Sequence, residues 1–327
     1  MKYNTISYLF CLMGLLVSCS VIVSKNKKAE ISSPIIKGYY ADPTIVKHKN
    51  TFYIYATIDP WGAEELGVFE TKDFKAFKQH HLDWPNKNKC ISPTSNNSMV
   101  WAPSVRKSSN GKFYMYVAIG GEIWAGVSDH PLGPWQNLKP DHQPLIKSTD
   151  FPQVHNIDPD LFFDDDGSAY LYWGSGFDWV NGHCMGVKLK KDMISFDGKP
   201  KDITPPNFFE AAHMIKRNDQ YYLMFSEGRA IDATYCVGYA VGNSPLGPWT
   251  EGKNSPILST SKDSSTIGPG HHTVFNEHGQ DFILYHKIHP QKEKYVLRQL
   301  YIDSLNFDSS GAIKKVVPRG VKSIFKS

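Results

Sequence analysis

The pentapeptide PLGPW stands at residues 131–135 and again at residues 245–249, and this duplication decides the fold. The two copies lie 114 residues apart, which is twice 57. Self-similarity at a fixed period is the signature of a repeat architecture. The chain is therefore expected to consist of similar units of about 57 residues, arranged one after another.

A second series of motifs fills the intervals between these copies. Asn or Asp followed by Gly, between apolar runs, is a strong hairpin signal. Two turns have this pattern, Asn110-Gly111 and Asp166-Gly167, and three further short turns stand at equivalent places, at Asn50-Thr51, Asn218-Asp219 and His278-Gly279. Aromatic strands follow them at residues 52–55, 113–116, 170–173, 221–225 and 282–285. Third strands begin near residues 67, 126, 186, 238 and 297, so that successive units are 52 to 60 residues apart.

Five units of three or four short strands, with no helical period, predict an all-β fold, a five-bladed β-propeller. Such a propeller needs roughly 285 residues, so little of these 327 residues is expected to remain for a second domain. The composition agrees, because 13% aromatic residues with 25 Gly and 21 Pro favour short strands and tight turns over a helical bundle.

The charge of the chain bears on its partners. A net charge of +4 over 327 residues is small, and no basic block interleaved with aromatic residues runs through the domain. Nucleic acid is therefore not expected as a partner, and an uncharged substrate fits better.

The amino terminus has the pattern of an export signal. Residues 1–18 carry one lysine and an apolar run, which is short for a membrane-spanning helix and typical of a signal peptide. Leu16-Val17-Ser18-Cys19 resembles the lipobox of bacterial lipoproteins, in which the Cys takes up lipid. We therefore expect a lipoprotein signal peptide at 1–18, lipidation of Cys19, a tether at 19–33 and the propeller at 34–327. The protein would be exported and held to a bacterial membrane, periplasmic or cell-surface, through its lipid alone.

Three cysteines remain in the domain, Cys90, Cys184 and Cys236. Their odd number and wide spacing favour buried free thiols over a disulfide framework or a zinc site.

Short motifs precede each hairpin, where the innermost strand of each blade should begin. Three of them carry a carboxylate, namely Asp42 in Ala-Asp-Pro, Asp158 in Ile-Asp-Pro and Glu210 in Phe-Glu-Ala. Because inner strands surround the axis of a propeller, these three side chains are expected to converge at one mouth of the central funnel. A carboxylate among apolar strand residues is costly to bury unless it is partnered or functional.

These residues resemble family 43 of the glycoside hydrolases, which are five-bladed propellers that cut arabinose- and xylose-containing polysaccharides with inversion. The resemblance spans about residues 35–320. It implies that Asp42 is the general base, Glu210 the general acid and Asp158 the residue that raises the pKa of the acid and orients it. It also implies that Arg298 steadies the base and that Trp101 lines the sugar pocket.

The resemblance also implies a candidate site for a metal ion in the axial channel. The Gly-Pro-Gly-His motif of blade five matches residues 268–271, and relatives often hold calcium or water in the axial channel through that His. His271 is therefore a candidate metal residue, although a buried structural histidine is an equal alternative because calcium prefers oxygen ligands. No cofactor is otherwise implied. Trp124 and Phe177 are further candidates for stacking on sugar, because both follow an inner hairpin strand.

Inverting hydrolysis explains why these residue types are needed. One carboxylic acid must stay protonated to donate to the leaving oxygen, and one ionised carboxylate must take a proton from water on the opposite face. Asp42 beside Arg298 would stay ionised, whereas a negative Asp158 would raise the pKa of Glu210.

The leading hypothesis is an exo-acting α-L-arabinofuranosidase or β-D-xylosidase acting on plant oligosaccharides or polysaccharides. An endo-acting arabinanase or xylanase is the alternative within the family, and the choice depends on loops near residues 57 and 85–100. A non-catalytic carbohydrate-binding propeller leaves the three carboxylates unexplained. A retaining, invertase-like propeller is disfavoured because its Asn-Asp-Pro-Asn type of motif differs from the sequence around Asp42.

Overall fold

The computed structural model describes Met1 and residues 30–95, 98–291 and 294–324. The predicted signal peptide, Cys19 and most of the predicted tether lie outside the described residues. Within the described part of the chain, no helix has the length and apolar character needed to cross a bilayer.

Five antiparallel sheets make up the molecule, and each is formed by strands that follow one another along the chain. The first four sheets have four strands each and the fifth has three. This confirms the prediction of an all-β, five-bladed propeller. Blades 1 and 2 comprise β1 (Tyr40–His48), β2 (Thr51–Ile58), β3 (Gly67–Thr71), β4 (Lys78–His80), β5 (Val100–Lys107), β6 (Phe113–Ile119), β7 (Glu122–Ser128) and β8 (Gln136–Asn137). Blades 3 to 5 comprise β9 (Asp160–Phe163), β10 (Ala169–Trp173), β11 (Met185–Leu189), β12 (Lys201–Asp202), β13 (Glu210–Arg217), β14 (Gln220–Glu227), β15 (Cys236–Gly242), β16 (Thr250–Glu251), β17 (Gly270–Glu277), β18 (Gln280–Ile288) and β19 (Arg298–Leu305).

The predicted hairpins join the first two strands of each blade. Gly167 and Gly279 have φ values of 80° and 77°, and Asn218 and Asp219 have φ values of 48° and 60°. Such left-handed conformations are tolerated by Gly, Asn and Asp, which explains why these residues stand at the turns.

The duplicated pentapeptide makes the same contact twice. The hydroxyl of Tyr55 in blade 1 donates to the carbonyl of Pro131 in blade 2, at 2.7 Å. The hydroxyl of Tyr172 in blade 3 donates in the same way to Pro245 in blade 4, also at 2.7 Å. The repeated pentapeptide therefore joins blade 2 to blade 1 and blade 4 to blade 3 by the same hydrogen bond.

The inner strands share an irregularity where they begin at the mouth. The pairing register shifts between Ala41 and Thr44 in β1, and shifts at the equivalent places in β5, β13 and β17. One residue of each blade has a positive φ here: Asp42, Ala102, Asp158, Ala211 and His271. A bulge re-aims side chains at the start of a strand. At this place each blade contributes at least one residue to the lining of the cavity at the mouth, namely Asp42, Trp101, Asp158, Glu210 and His271.

The apolar core lies between the blades. Each pair of neighbouring blades encloses its own cluster of buried residues. Blades 5 and 1 enclose Ile35 and Ile36 from the start of the described domain and Ile324 from its end. The amide of Ile35 also donates to the carbonyl of Leu300 in β19, at 2.9 Å. The ring is therefore closed by both chain ends together.

The three cysteines of the domain, Cys90, Cys184 and Cys236, are buried and free, as predicted.

Candidate active site

A cavity of about 340 Å³ opens at the mouth where the inner strands begin. The structure brings together there most of the side chains that the sequence nominated. Those that line the cavity are Asp42, Trp101, Asp158, Phe177, Glu210, His271 and Arg298. Residues from all five blades meet in one pocket, because the bulges at the strand starts aim these residues at the axis.

Asp42 is a buried carboxylate with cationic partners. Nη1 of Arg298 donates to its Oδ1 at 3.1 Å, and Nδ1 of His271 lies 3.2 Å from the same oxygen. Burial alone would raise the pKa of Asp42, but Arg298 and His271 outweigh burial and hold it well below its usual value. Asp42 is therefore ionised at neutral pH, as a base must be.

A second histidine supports the backbone of Asp42. The amide of Asp42 donates to Nδ1 of His286 at 3.3 Å. Burial lowers the pKa of His286 to about 4, so its ring is neutral and Nδ1 is free to accept. His286 is fully buried and stacks on Tyr235 at 5.7 Å between ring centroids.

Arg298 is itself held by an acid that the sequence did not nominate. Its guanidinium donates to both carboxylate oxygens of Asp59, at 2.7 to 3.3 Å, and its backbone amide donates to Asp59 at 2.7 Å. The Asp59 side chain is fully buried. The guanidinium carbon also lies 4.9 Å from the ring centroid of Trp61. A bidentate, stacked guanidinium has little freedom, so its remaining nitrogen points steadily at Asp42.

Glu210 has the opposite environment. Burial, the largest cause, raises its pKa, although hydrogen bonds from Tyr235 and Ser175 lower it. The Tyr235 hydroxyl donates to Oε1 at 2.8 Å and the Ser175 hydroxyl donates to Oε2 at 2.9 Å. Neither neighbour is a cation, and the charge of nearby His271, which also lowers the pKa of Glu210, is outweighed by burial.

Asp158 is coupled to Glu210. Burial and the nearby charges of Glu210 and Asp42 raise the pKa of Asp158 to about 8. The two carboxyl groups therefore retain at least one proton between them at neutral pH. The sequence predicted an ionised Asp158 that raises the pKa of the acid. In the structure, burial is the largest cause of the raised pKa of Glu210, and the charge of Asp42 also raises it. With a pKa of about 8, Asp158 is itself largely protonated at neutral pH, because it is buried beside two other acids.

His271 lies between two carboxylates. Its Nδ1 is 3.2 Å from Asp42 and 3.6 Å from Asp158. Although burial opposes the charge, these two acids raise the pKa of His271 to about 9. Among the described residues, no group of three or more His, Cys, Asp or Glu is arranged to hold a metal ion. In the structure His271 is thus the ion-pair partner of Asp42 and Asp158.

Aromatic side chains form the rim of the cavity. Phe177 is 49% exposed and stacks on His155 at 5.1 Å. Trp179 stacks on Phe209 at 6.0 Å and lies 6.3 Å from Trp61. Such faces are suited to stacking on the CH face of a sugar ring.

The loop that carries Phe177 and Trp179 makes a tight turn. A Cβ on Gly176 would lie 1.8 Å from the carbonyl oxygen of Val180, so only glycine fits where the loop folds back. Asp178 and Trp179 have positive φ values of 52° and 62°. The turn therefore fixes the aromatic side chains at the rim.

Trp124 was a wrong prediction. Its side chain is fully buried in the cluster between blades 1 and 2 and does not line the cavity. Trp124 lies within β7, whose side chains face the neighbouring blades rather than the funnel. A position after the hairpin strand therefore does not by itself bring an aromatic residue to the mouth.

An ionised carboxylate and a proton-bearing carboxyl pair in one cavity with an aromatic rim are the groups that acid–base cleavage of a sugar linkage requires. The fold and the site thus define a glycoside hydrolase. The profile of Glycosyl hydrolases family 43 matches residues 31–313, and the chain belongs to that family. It is accordingly a glycosidase that hydrolyses O-glycosyl bonds.

Individual relatives agree with this assignment. The chain is 30% identical to a beta-D-galactofuranosidase of Aspergillus niger over 91% of its own length and 88% of the relative. It is 27% identical to an arabinoxylan arabinofuranohydrolase of Bacillus subtilis over 85% of the chain and 62% of the relative. Among solved structures, an alpha-L-arabinofuranosidase of Clostridium thermocellum superposes with a TM-score of 0.68 at 27% identity, over 88% and 96% of the two chains.

Proposed function

We propose that this protein is an exo-acting, inverting glycosidase that removes terminal α-L-arabinofuranosyl or β-D-xylosyl groups from plant oligosaccharides or polysaccharides. The observation that carries the proposal is the contrast between Asp42, held ionised by Arg298, and the buried Glu210–Asp158 pair, which keeps a proton. Opposite environments for two carboxyl groups assign a base and an acid.

The residues divide the work accordingly. Asp42 takes a proton from a water that attacks the anomeric carbon, and Glu210 donates its proton to the leaving oxygen on the other face of the sugar. Asp158 keeps the acid protonated, Tyr235 and Ser175 orient it, and Arg298 keeps the base charged. The aromatic rim excludes water and positions the sugar ring.

The shape of the site favours exo action. A cavity of about 340 Å³ is at the small end of ligand sites. Trp61, Trp101 and Trp179 narrow its walls. An endo-acting enzyme needs a cleft open at both ends. Endo action is also tested below, because one relative, from Thermotoga petrophila, is named an extracellular endo-alpha-(1->5)-L-arabinanase.

The choice of sugar is tested with a panel of 4-nitrophenyl glycosides. The panel contains the α-L-arabinofuranoside, the β-D-xyloside and the β-D-galactofuranoside, the last because of the Aspergillus relative. Release of single sugars from linear substrates supports exo action, whereas oligosaccharide products from debranched arabinan or xylan contradict it. NMR of the first-formed anomer tests inversion, and a retained configuration contradicts the mechanism.

Two substitutions test the catalytic roles. Asp42→Asn and Glu210→Gln should each lower kcat by about 10²–10⁴, because each removes a proton transfer. Asp129→Asn and Glu251→Gln are matched controls, since both residues are exposed. Circular dichroism should show intact β structure in all four variants. Near-normal turnover of the Asp42 or Glu210 variant would contradict the assignment.

We also propose that the protein is exported and lipid-anchored through Cys19, which follows a leader of signal-peptide type. Mass spectrometry of the mature protein expressed in a bacterium should find an acylated Cys19 at the amino terminus. Cys19→Ser should release the protein from the membrane fraction. A mature chain that begins elsewhere contradicts the proposal.

A further inference from the structure

A ring of five polar side chains surrounds the propeller axis, one layer below the candidate catalytic groups. Its members are equivalent residues of the five inner strands, and all are at most 4% exposed. They are Thr44, Ser104, Asp160, His213 and Thr273. Buried polar side chains are costly unless they are hydrogen-bonded, so each needs a structural explanation.

The ring joins each blade to the next. At four of the five junctions, the ring side chain of one blade accepts a hydrogen bond from a backbone amide of the next blade. The donor is the residue that directly follows the ring residue of that next blade. The amides of Val105, Leu161, Met214 and Val274 donate in this way to Thr44, Ser104, Asp160 and His213, at 3.0 to 3.3 Å. The fifth member, Thr273, has no such partner for its hydroxyl among the described residues. The ring is thus open where blade 5 meets blade 1.

Arg106 fills the middle of this ring. It belongs to β5 of blade 2, and its Nη1 donates to Oγ1 of Thr44 at 3.2 Å. Its Nη2 donates to Oδ1 of Asp160 at 2.9 Å and lies 3.2 Å from Nδ1 of His213. Oδ1 of Asp160 also accepts from the hydroxyl of Ser104 at 3.1 Å. One guanidinium therefore touches side chains of blades 1, 3 and 4.

Those three blades carry the candidate catalytic acids. Thr44 stands two residues after Asp42, Asp160 two residues after Asp158, and His213 three residues after Glu210. We propose that Arg106 is a positioning residue that holds these three strands at fixed distances, and that it does on the axis what a bound metal ion would otherwise do. This inference rests on the proposed roles of the three acids.

The chemistry of the ring supports a resident guanidinium. Asp160, the only ring member that can carry a negative charge, is already paired with Arg106, so a divalent cation here would face a fixed positive charge without free carboxylate oxygens. A planar guanidinium can also reach acceptors on several strands at once, which a lysine ammonium on a flexible stem does less well.

The test uses variants that separate charge from geometry. Arg106→Met alone would leave Asp160 buried and unpaired, so the main variant is the charge-balanced R106M/D160N. Arg106→Lys keeps the positive charge but loses the planar guanidinium, whose two terminal nitrogens donate to different blades. Arg217→Met is the control, because Arg217 is an exposed arginine on another inner strand, β13 of blade 4. Each is assayed with the 4-nitrophenyl glycoside that the wild-type protein hydrolyses fastest.

A positioning role predicts a specific pattern. In R106M/D160N, kcat should fall by about 10–100-fold while KM changes by less than about threefold, since small misplacement of reacting groups costs rate. Arg106→Lys should keep a thermal midpoint close to wild type and still lose kcat. Wild-type kcat in either folded variant would overturn the inference. If these variants are active while Asp42→Asn and Glu210→Gln are inactive, this inference fails and the proposed function stands.

A separate measurement tests the claim that Arg106 takes the place of an axial metal ion. Exhaustive dialysis of the wild-type protein against a chelator should change neither the thermal midpoint nor kcat. A loss of either that added calcium restores would overturn the claim that Arg106 takes the place of an axial metal ion.

Discussion

Two carboxyl groups in one cavity differ because of their immediate neighbours. Asp42 has a guanidinium at 3.1 Å, and this contact offsets its burial. Glu210 is contacted by the hydroxyls of Tyr235 and Ser175, and burial dominates. The division between base and acid is therefore decided by single residues that come from different blades.

The pH profile should follow from these environments. Activity requires a proton on the Glu210–Asp158 pair, whose pKa values are raised, so kcat/KM should hold through neutral pH and fall as the pH passes about 8, the pKa of Asp158. Asp158→Asn removes a neighbouring negative charge, so the basic limb should move to lower pH. A limb that stays in place or moves up in this variant would contradict the coupling.

Tyr235→Phe should move the basic limb of the pH profile to higher pH. The phenol hydrogen bond stabilises the ionised form of Glu210, and hydrogen bonds to charged groups contribute about 1.5–3 kcal/mol. Without it, the carboxyl keeps its proton to higher pH. Tyr222→Phe is the matched control, because its hydroxyl donates instead to the carbonyl of Gly311 at 2.8 Å. Equal profiles for the two variants would show that Tyr235 does not tune the acid.

At the scale of the strand, the recurring feature is the bulge at the start of each inner strand. None of the five residues with positive φ there is Asn or Gly, and Ala102 and Ala211 carry no polar group that would justify the conformation. Left-handed backbone costs a residue with a Cβ about 1–2 kcal/mol. The strained conformation occurs at the mouth because it directs either the bulged residue or the residue before it into the funnel.

Substitution by glycine measures this strain. In Ala102→Gly, relief of the strain should offset the lost methyl burial, so the free energy of unfolding should change by less than about 1 kcal/mol. Ala240→Gly, in the regular strand β15, has no strain to relieve and should lower that energy by about 1–2 kcal/mol. Chemical denaturation compares the two. Equal losses would mean that the bulge stores no strain.

Sequence reasoning reached the features that repeat. Asp42, Asp158 and Glu210 could be predicted because they stand at equivalent places in a periodic pattern. Asp59 and His286 could not, because each acts through a contact between blades 1 and 5 that is made only after the ring closes, such as the pairing of Asp59 with Arg298 across 239 residues. Tyr235 could not either, because it meets Glu210 within blade 4 through a loop that no repeating motif marks. Asp59 does leave a faint signal, as an acid beside Pro and Trp in a loop predicted to lie near the mouth.

At the scale of the molecule, the weak point is the junction of blades 5 and 1. The polar ring lacks its fifth bond there, and blade 5 has only three strands. Apolar residues from both ends of the domain fill the junction, and the amide of Ile35 pairs with β19. Closure of the propeller therefore depends on packing of the chain ends.

Ile35→Ala should consequently be costly. Truncation of a buried isoleucine lowers the free energy of unfolding by about 2–5 kcal/mol, and Ile35 is 3% exposed. Val317→Ala is the control near the other chain end, since Val317 is 57% exposed, and should cost less than about 0.5 kcal/mol. Denaturant midpoints at equal slope measure both. An equally small loss for Ile35 would mean that the junction is held by other contacts.

The tryptophans of the cavity give the protein an optical reporter. Trp61, Trp101 and Trp179 line the site and are partly exposed, whereas Trp84, Trp124, Trp135 and Trp173 are buried in the blades. A sugar that stacks in the cavity displaces water from the first group alone, so its arrival should alter the intrinsic emission without any label. Titrating the inactive Glu210→Gln variant with unmodified oligosaccharides would then rank natural ligands by affinity, independently of whether they are cleaved.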